Sequence, residues 1–571
     1  MRPSFLSASS AWVETSLRSL SLPQKIAQLL HVPSWSNRSE IHIHEMVELI
    51  DRYQLGGVIF FQGDPVAQGR ATERYQQVSS IPLMISIDAE WGLAMRLEET
   101  VQYPYQMALG ALKEVELIEE MGAQLARQCR RLGIHVNFAP SVDINTEASN
   151  PVIGFRSFGA DPAEVSRRAA AYMRGMQDNR VLAVAKHFPG HGDTSVDSHV
   201  DLPVLSHAKE RLDRIELAPF RHLIQEGIAG VMPGHLHVPA YDEDIRIGAT
   251  LSSVLVNDLL RKEMGFEGLI FTDALDMKGV SKHFSAAEIN CRALLAGNDV
   301  MLFCVDVPGS IDAIIRAVEE QRISEEEITR RCRKLLTAKA WLGLSEGFQP
   351  PALDQLVDDL HPPEAIQLNQ QLAEQSLTLL KGKEFLPLPK GKRIASISVI
   401  SDYADVSDGL AHHELTRVQL TEVANQPITL FQECLGNNRQ IDHFFLDLKE
   451  PETMHKWAIK AIREYEWVVV GLHGLHIKAG HHFGLTEILQ MRLGAILAES
   501  RVILLIFGNA YAVDLLEDID RAKAVVLAYQ ETAYTQSAAA KLLLGEIEAT
   551  GQLPISLKRD IRTARPAVNE D

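Results

Sequence analysis

The residues with the most chemical potential follow short apolar runs. After LMISI stands Asp88, with Arg96 eight residues on; after the run at Ile134 come Asn137 and Asp143, with Arg156 in an RSFG segment. After VLAVA come Lys186 and His187, after IAGVM comes PGHLH with His235 and His237, and after GLIFT comes Asp273. Carboxylates, imidazoles and cations gathered in this way can bind hydroxyls, transfer protons or attack an electrophilic carbon. The richest segment is AKHFPGHGDTSVDSHVDLP, Ala185 to Pro203, where a strand ends in a long loop of the kind that carries function. Within it Asp197 and His199 are two residues apart, near enough for the carboxylate to hold the imidazole in one tautomer and make it a proton donor and acceptor. The plainer reading of that pair is a histidine satisfying a loop hydrogen bond. Asp273, at the tip of an apolar strand, suits a nucleophile or an electrostatic stabiliser. Asp276, three residues later, is expected only to open the next helix.

Two chemistries use this set. In one, a carboxylate nucleophile and a protonated imidazole flank a glycosidic bond. In the other, His187, His191, His199, His235, His237 and Asp273 ligate one or two divalent metals in a barrel hydrolase. Against the second, no H-x-H closes an early strand; the early strand ends in Asp88 with a downstream arginine, a pair that suits sugar hydroxyls better than a cation.

What must position these residues is a parallel sheet. GGVIFF, LMISID, IHVNFA, VLAVA, IAGVM, GLIFT and DVMLF are continuous apolar runs, as strands buried on both faces are. Helical patterns lie between them, for instance Leu117, Met121, Leu125 and Cys129 at i, i+4 spacing, closed by Gly133. Seven β-then-α units over residues 1–345 predict a (β/α)8 TIM-type barrel, with one strand unplaced, and reactive residues at strand ends then share its C-terminal face. The proline-containing, acidic stretch at 346–365 reads as a surface linker. Beyond it RIASISVI, WVVVGL, RVILLIF and AKAVVLAY predict a smaller α/β sandwich over residues 366–571.

Composition narrows the partners. Lys and Arg number 56 against 75 Asp and Glu, a net charge of −19 that repels phosphate backbones and anionic lipid, so nucleic acid is not an expected partner. The longest apolar run, near Val502–Phe507, is far short of the roughly 18 residues a spanning helix needs. Five cysteines with no C-x-x-C suggest buried thiols, not a disulfide framework or a zinc ribbon. The N-terminus carries no recognisable export signal, which places the chain in the cytoplasm as written; a chain trimmed of such a signal would look the same, so the periplasm and secretion stay open. His473, His476, His481 and His482 fall within ten residues but lack a natural cysteine or carboxylate ligand beside them.

The stretch KHFPGHGDTSVDSH, Lys186 to His199, resembles glycoside hydrolase family 3 in its NagZ-type β-N-acetylhexosaminidase branch, without a mismatch over its fourteen residues. QKIAQLL at Gln24, DAEWGLAMRL at Asp88, NFAPSVDIN at Asn137, FRSFGADP at Phe155, VMPGHLHVP at Val231 and GFEGLIFTDALDMKG at Gly265 join it in family order. The second domain is more loosely similar, through SLTLLKGKEFLPLP and GQLPISL. The resemblance implies that Asp273 is the nucleophile, His199 the general acid/base and Asp197 its dyad partner. It implies that Asp88, Arg96, Arg156, Lys186, His187 and His235 bind the N-acetylated sugar. The implied activity is exo-acting, retaining β-N-acetylglucosaminidase on muropeptide or chitin-type oligosaccharides, with no cofactor and no metal, in a monomer or weak homodimer whose second domain is structural. Phosphorolysis by the same site and a metal-dependent barrel hydrolase are the alternatives. DAEWGLAMR departs from the usual family string, and an aromatic at Trp91 offers a ring for stacking on a sugar.

Overall fold

The computed structural model describes residues 2–7, 10–194, 202–245, 247–277, 282–401, 420–423, 426–436, 441–449, 452–559 and 561. These form two compact units. The first comprises 1–103, 115–153 and 161–365; the second comprises 104–114, 154–160 and 366–571.

The first unit is the expected barrel. Its strands are β1 (Leu30–Ser34), β2 (Gly57–Phe60), β3 (Met84–Ile87), β4 (Val136–Asn137), β5 (Leu182–Phe188), β6 (Gly230–Pro233), β7 (Leu269–Ile270) and β8 (Met301–Leu302). They pair in parallel in the order β7-β6-β5-β4-β3-β2-β1-β8, and a parallel bridge between Phe271 and Val300 joins the two edges. Seven of the eight coincide with the continuous apolar runs. The unplaced strand is β1, whose sequence LHVPS is broken by His31 and Pro33.

Helices cover the sheet as the periodicity requires. Glu116–Arg131 buries Ile118, Met121, Leu125 and Cys129, and Gly133 follows its end at φ +76°, a conformation open to glycine at no steric cost. Asp276 is exposed in a turn, and the next helix among the described residues starts at Ala286, capped by Ser285 Oγ accepting from the Glu288 amide. The 346–365 stretch packs with the barrel unit, where Arg131 donates to the carboxylate of Asp359 at 2.9 Å and Gln128 Nε2 to the Leu360 carbonyl at 2.8 Å.

In the second unit β9 (Thr378–Lys381), β10 (Ile394–Ile400), β13 (Asp442–Asp447), β14 (Trp467–His473), β15 (Val502–Ile506) and β16 (Ala524–Leu527) form one sheet in the order β13-β10-β14-β15-β16-β9. All neighbours are parallel except β9, which runs antiparallel to β16. A separate hairpin holds β11 (Leu420–Val423) and β12 (Gln426–Thr429). Phe431, Leu435, Val469, Ile503, Leu505, Phe507, Val526 and Leu543 share the core around the six-stranded sheet. No helix among the described residues is long and apolar enough to cross a membrane.

Candidate active site

The ends of β3 to β7 bring one charged cluster together. Asp88 stands one residue past β3 and accepts from two cations: Lys186 Nζ lies 2.7 Å from Oδ1 and Arg96 Nη2 lies 2.7 Å from Oδ2. Lys186 is almost fully buried on β5 and also contacts Glu90 Oε1 at 2.8 Å. Burial alone would push the Asp88 carboxyl up; Lys186 and Arg96 outweigh it and hold the group far below the usual carboxylate range.

The backbone between Asp88 and Glu90 is fixed from β4. Asn137 Oδ1 accepts from the Ala89 amide at 2.9 Å, and its Nδ2 donates to the Ala89 carbonyl at 3.1 Å. Tyr172 Oη donates to the same carbonyl at 3.1 Å. A side-chain amide that takes both polar groups of one residue fixes where the flanking carboxylates point.

Asp143, in the loop after β4, does the same for the β5 loop. Its Oδ2 accepts from His187 Nδ1 at 2.8 Å and from Ser141 Oγ at 2.8 Å. Its Oδ1 accepts from the His187 amide at 3.2 Å and the His191 amide at 2.6 Å. A carboxylate on Nδ1 sets the imidazole tautomer and plane. Burial pushes this carboxyl up, and the two imidazoles and the His191 amide bring it below its ordinary value. Asn150 Nδ2 donates to the His191 carbonyl at 2.9 Å, and Gly192 fits because a Cβ there would lie 1.8 Å from the Ile144 carbonyl oxygen. The Lys186–His187 and Phe188–Pro189 peptide bonds are cis.

Asp273 stands past the end of β7, half-buried, with Oδ1 accepting from the Ala274 amide at 2.8 Å. Its other oxygen has no hydrogen bond among the described residues. Burial works against its charge; His235, His187, the Ala274 amide and Lys186 together leave the carboxyl below the usual range. His235 Nε2 donates to the Ala274 carbonyl at 2.9 Å, and Thr250 Oγ1 lies 3.0 Å from its Nδ1, so the ring that faces Asp273 is itself held at both nitrogens. The cluster therefore presents an ionised carboxylate with an uncommitted oxygen beside fixed imidazoles, an ammonium and a guanidinium. That arrangement suits attack on an electrophilic carbon bearing hydroxyl-rich neighbours.

Of the residues expected from sequence, Asp88, Arg96, Lys186, His187, His235 and Asp273 are brought together in the barrel unit. Arg156 lies on the 3-10 turn Gly154–Arg156, which belongs to the second unit. Asp197 and His199 lie outside the described residues. Trp91 is a correction: it is only 7% exposed, so it offers no open ring face for stacking. Glu90 and the positioning part of Asp143 were not foreseen; a D-x-E pair after one strand, opposite a lysine on another, was the signal for the first. Among the described residues no group of three or more His, Cys, Asp or Glu is placed to hold a metal ion.

Residues 21–338 match the model of the glycosyl hydrolase family 3 N terminal domain. The chain belongs to glycosyl hydrolase family 3. It is 31% identical to a solved family 3 β-N-acetylglucosaminidase from Paenibacillus sp. str. FPU-7, with a TM-score of 0.76 over 94% of this chain and 99% of that one. It is 30% identical over 385 residues to β-hexosaminidase A of Pseudoalteromonas piscicida, and that match covers 62% of this chain and 64% of the relative's length. A β-glucoside phosphorylase, 22% identical with a TM-score of 0.80 over 96% of this chain and 97% of that one, shares the fold. The barrel thus carries the family's first domain, and the charged cluster occupies the barrel face where enzymes of this fold build their sites.

Proposed function

We propose that this family 3 chain is an exo-acting, retaining β-N-acetylglucosaminidase that removes terminal β-linked GlcNAc from muropeptide or chitin-type oligosaccharides. The observation that carries the reading is the Asp273 carboxylate, kept ionised and with one oxygen uncommitted, at the end of a barrel strand and facing His235, His187 and Lys186. The names of the Paenibacillus and Pseudoalteromonas relatives support the sugar.

In this reading Asp88, Arg96, Lys186, His187 and His235 bind the terminal sugar. An Asp273 oxygen attacks the anomeric carbon as the glycosidic C–O bond breaks, and His199, partnered by Asp197, gives its proton to the leaving oxygen. His199 then takes a proton from water, whose oxygen attacks the same carbon and releases Asp273. Two inversions restore the β configuration. The chain acts as a monomer or weak homodimer.

The test is hydrolysis of an aryl β-N-acetylglucosaminide beside the matching β-glucoside, with and without chelator, for the wild type and Asp273→Asn. Chelator-resistant, Asp273-dependent turnover of the N-acetyl substrate is expected. Turnover lost to chelator, or none on either sugar, would overturn the proposal. A sugar 1-phosphate formed on adding inorganic phosphate would replace hydrolysis by phosphorolysis at the same site.

A further inference from the structure

The barrel face is divided. The ends of β3 to β7 carry the charged cluster, whereas the ends of β8, β1 and β2 carry Phe303, Trp35 and Phe61, all three half-buried. Their rings form one group: Trp35 stacks on Phe61 with centroids 5.5 Å apart and planes at 29°, and Phe303 meets Phe61 edge-on at 5.4 Å and Trp35 at 5.8 Å. The two halves meet at Arg96, whose guanidinium carbon lies 4.8 Å from the Phe61 ring centroid.

Arg96 needs that ring. Among the described residues its guanidinium makes a single hydrogen bond, Nη2 to Asp88, and its buried Nε has no partner. One bond holds one atom and leaves the plane of a five-donor fork free to turn about it. A cation over an aromatic face removes that freedom. The backbone is built to keep the two groups together: the Gly63 amide donates to the Arg96 carbonyl at 3.1 Å, the Glu98 amide donates to the Gly63 carbonyl at 2.8 Å, and a Cβ on Gly63 would lie 1.7 Å from Ser36 Oγ. The loops after β1, β2 and β3 are thus locked into one block. Trp35 backs Phe61, and the exposed Arg38 guanidinium lies 3.7 Å from the Trp35 ring centroid. Phe303 is kept in this group at φ +62°, a left-handed conformation that a bulky side chain adopts only when its surroundings hold it there.

We infer that Phe61, backed by Trp35, is a positioning residue that orients the Arg96 guanidinium, so that the N–H groups Asp88 leaves over meet the oxygen atoms of the bound N-acetylated sugar. The inference rests on the function proposed above. A wall that only filled space would not depend on Arg96, whereas this one acts through it.

The test is a kinetic cycle on an aryl β-N-acetylglucosaminide with wild type, Phe61→Leu, Phe61→Tyr, Arg96→Met and the Phe61→Leu/Arg96→Met double variant. Phe61→Leu is expected to raise KM about three- to thirtyfold with kcat within about twofold, the span of a partly desolvated cation–π contact. Phe61→Tyr should restore wild-type KM, and the double variant should be no worse than Arg96→Met alone. Trp35→Leu, which leaves Phe61 and Arg96 in place, should move KM in the same direction by less, and serves if Phe61→Leu does not fold. Losses that multiply in the double variant, or a KM that rises in Arg96→Met but in neither Phe61→Leu nor Trp35→Leu, would overturn the inference alone. A KM unmoved by Arg96→Met would remove Arg96 from the sugar site and the inference with it, whereas an inactive wild type would overturn the proposed function.

Discussion

Both units of this chain place a histidine–carboxylate pair at the ends of parallel strands, yet only one of them makes a candidate site. In the second unit His473 Nδ1 meets Glu531 Oε1 at 2.7 Å, and the Gly474 amide donates to Oε2 at 2.7 Å. That ring is fully buried, stacked on Phe507 at 4.8 Å and near Phe431 at 6.2 Å, with Ser398 Oγ 3.3 Å from Nε2. In the barrel, the His187–Asp143 pair stands among Asp88 and Glu90 from the β3 loop, Lys186 on β5 and Asp273 past β7. The pair itself is therefore a poor signal of function. What distinguishes the barrel is convergence: several strand ends supply charges of both signs around a carboxylate with one oxygen uncommitted among the described residues, whereas the second pair is sealed by aromatic rings and the Ser398 hydroxyl. The first arrangement can meet a ligand, and the second holds β10, β14 and the Glu531 turn together.

Substitutions in the two regions should separate accordingly. The largest effect belongs to Asp273→Asn, which removes the attacking charge while keeping shape: kcat on an aryl β-N-acetylglucosaminide should fall by about a thousandfold or more, with the melting temperature unchanged or raised. Activity within tenfold of wild type would erase the distinction between the regions. Next comes Asp143→Asn, which leaves His187 without its orienting charge; kcat/KM should drop roughly tenfold to a hundredfold, from a disrupted buried hydrogen bond of about 1–3 kcal/mol. Equal kcat/KM in that variant would make Asp143 merely structural, like Glu531.

Glu531→Gln should show the reverse pattern, losing about 2 kcal/mol in urea unfolding while kcat/KM stays at the wild-type value. A kinetic loss without a stability loss would assign the second pair to function. The smallest effect concerns a histidine with no carboxylate. Inside the barrel both His31 ring nitrogens lack a partner among the described residues, and burial, with Lys339 nearby, pushes the imidazole down to about 3. The unfolded chain takes up a proton at the ordinary histidine value near 6.5 while the folded chain does not, so stability falls as pH drops from about 6.5 towards 3. Between pH 6.5 and 5.5 this one group costs about 1 kcal/mol, and His31→Met should remove that share of the acid slope in denaturant titrations. An unaltered slope would mean that His31 is protonated in the fold.

Much of this was legible in the residues. Strands buried on both faces read as continuous apolar runs, which is why β2 to β8, β10 and β14 to β16 stand out. The strands that escaped notice break that rule for physical reasons. β1 carries His31 and Pro33; β9 and β13 are the edges of the second sheet, and their sequences TLLK and DHFFLD mix buried with half-exposed positions. At the site, Asp88, Lys186, His187, His235 and Asp273 were found because each follows an apolar run directly. Glu90, the orienting contacts of Asp143 and the Phe61–Arg96 stack were not, because they depend on which loops pack together, and spacing along the chain does not encode that. Trp91 failed for the related reason that an aromatic in a loop can as well turn inward.

In the proposed reaction Asp273 bonds covalently to the sugar. Reaction with a 5-fluoro aryl β-N-acetylglucosaminide, whose glycosyl-enzyme hydrolyses slowly, followed by peptide mass mapping, tests it directly. One N-acetylhexosaminyl adduct is expected, on the peptide containing Asp273 and absent from Asp273→Asn. An adduct on another residue, or substrate turnover with no adduct formed, would contradict it.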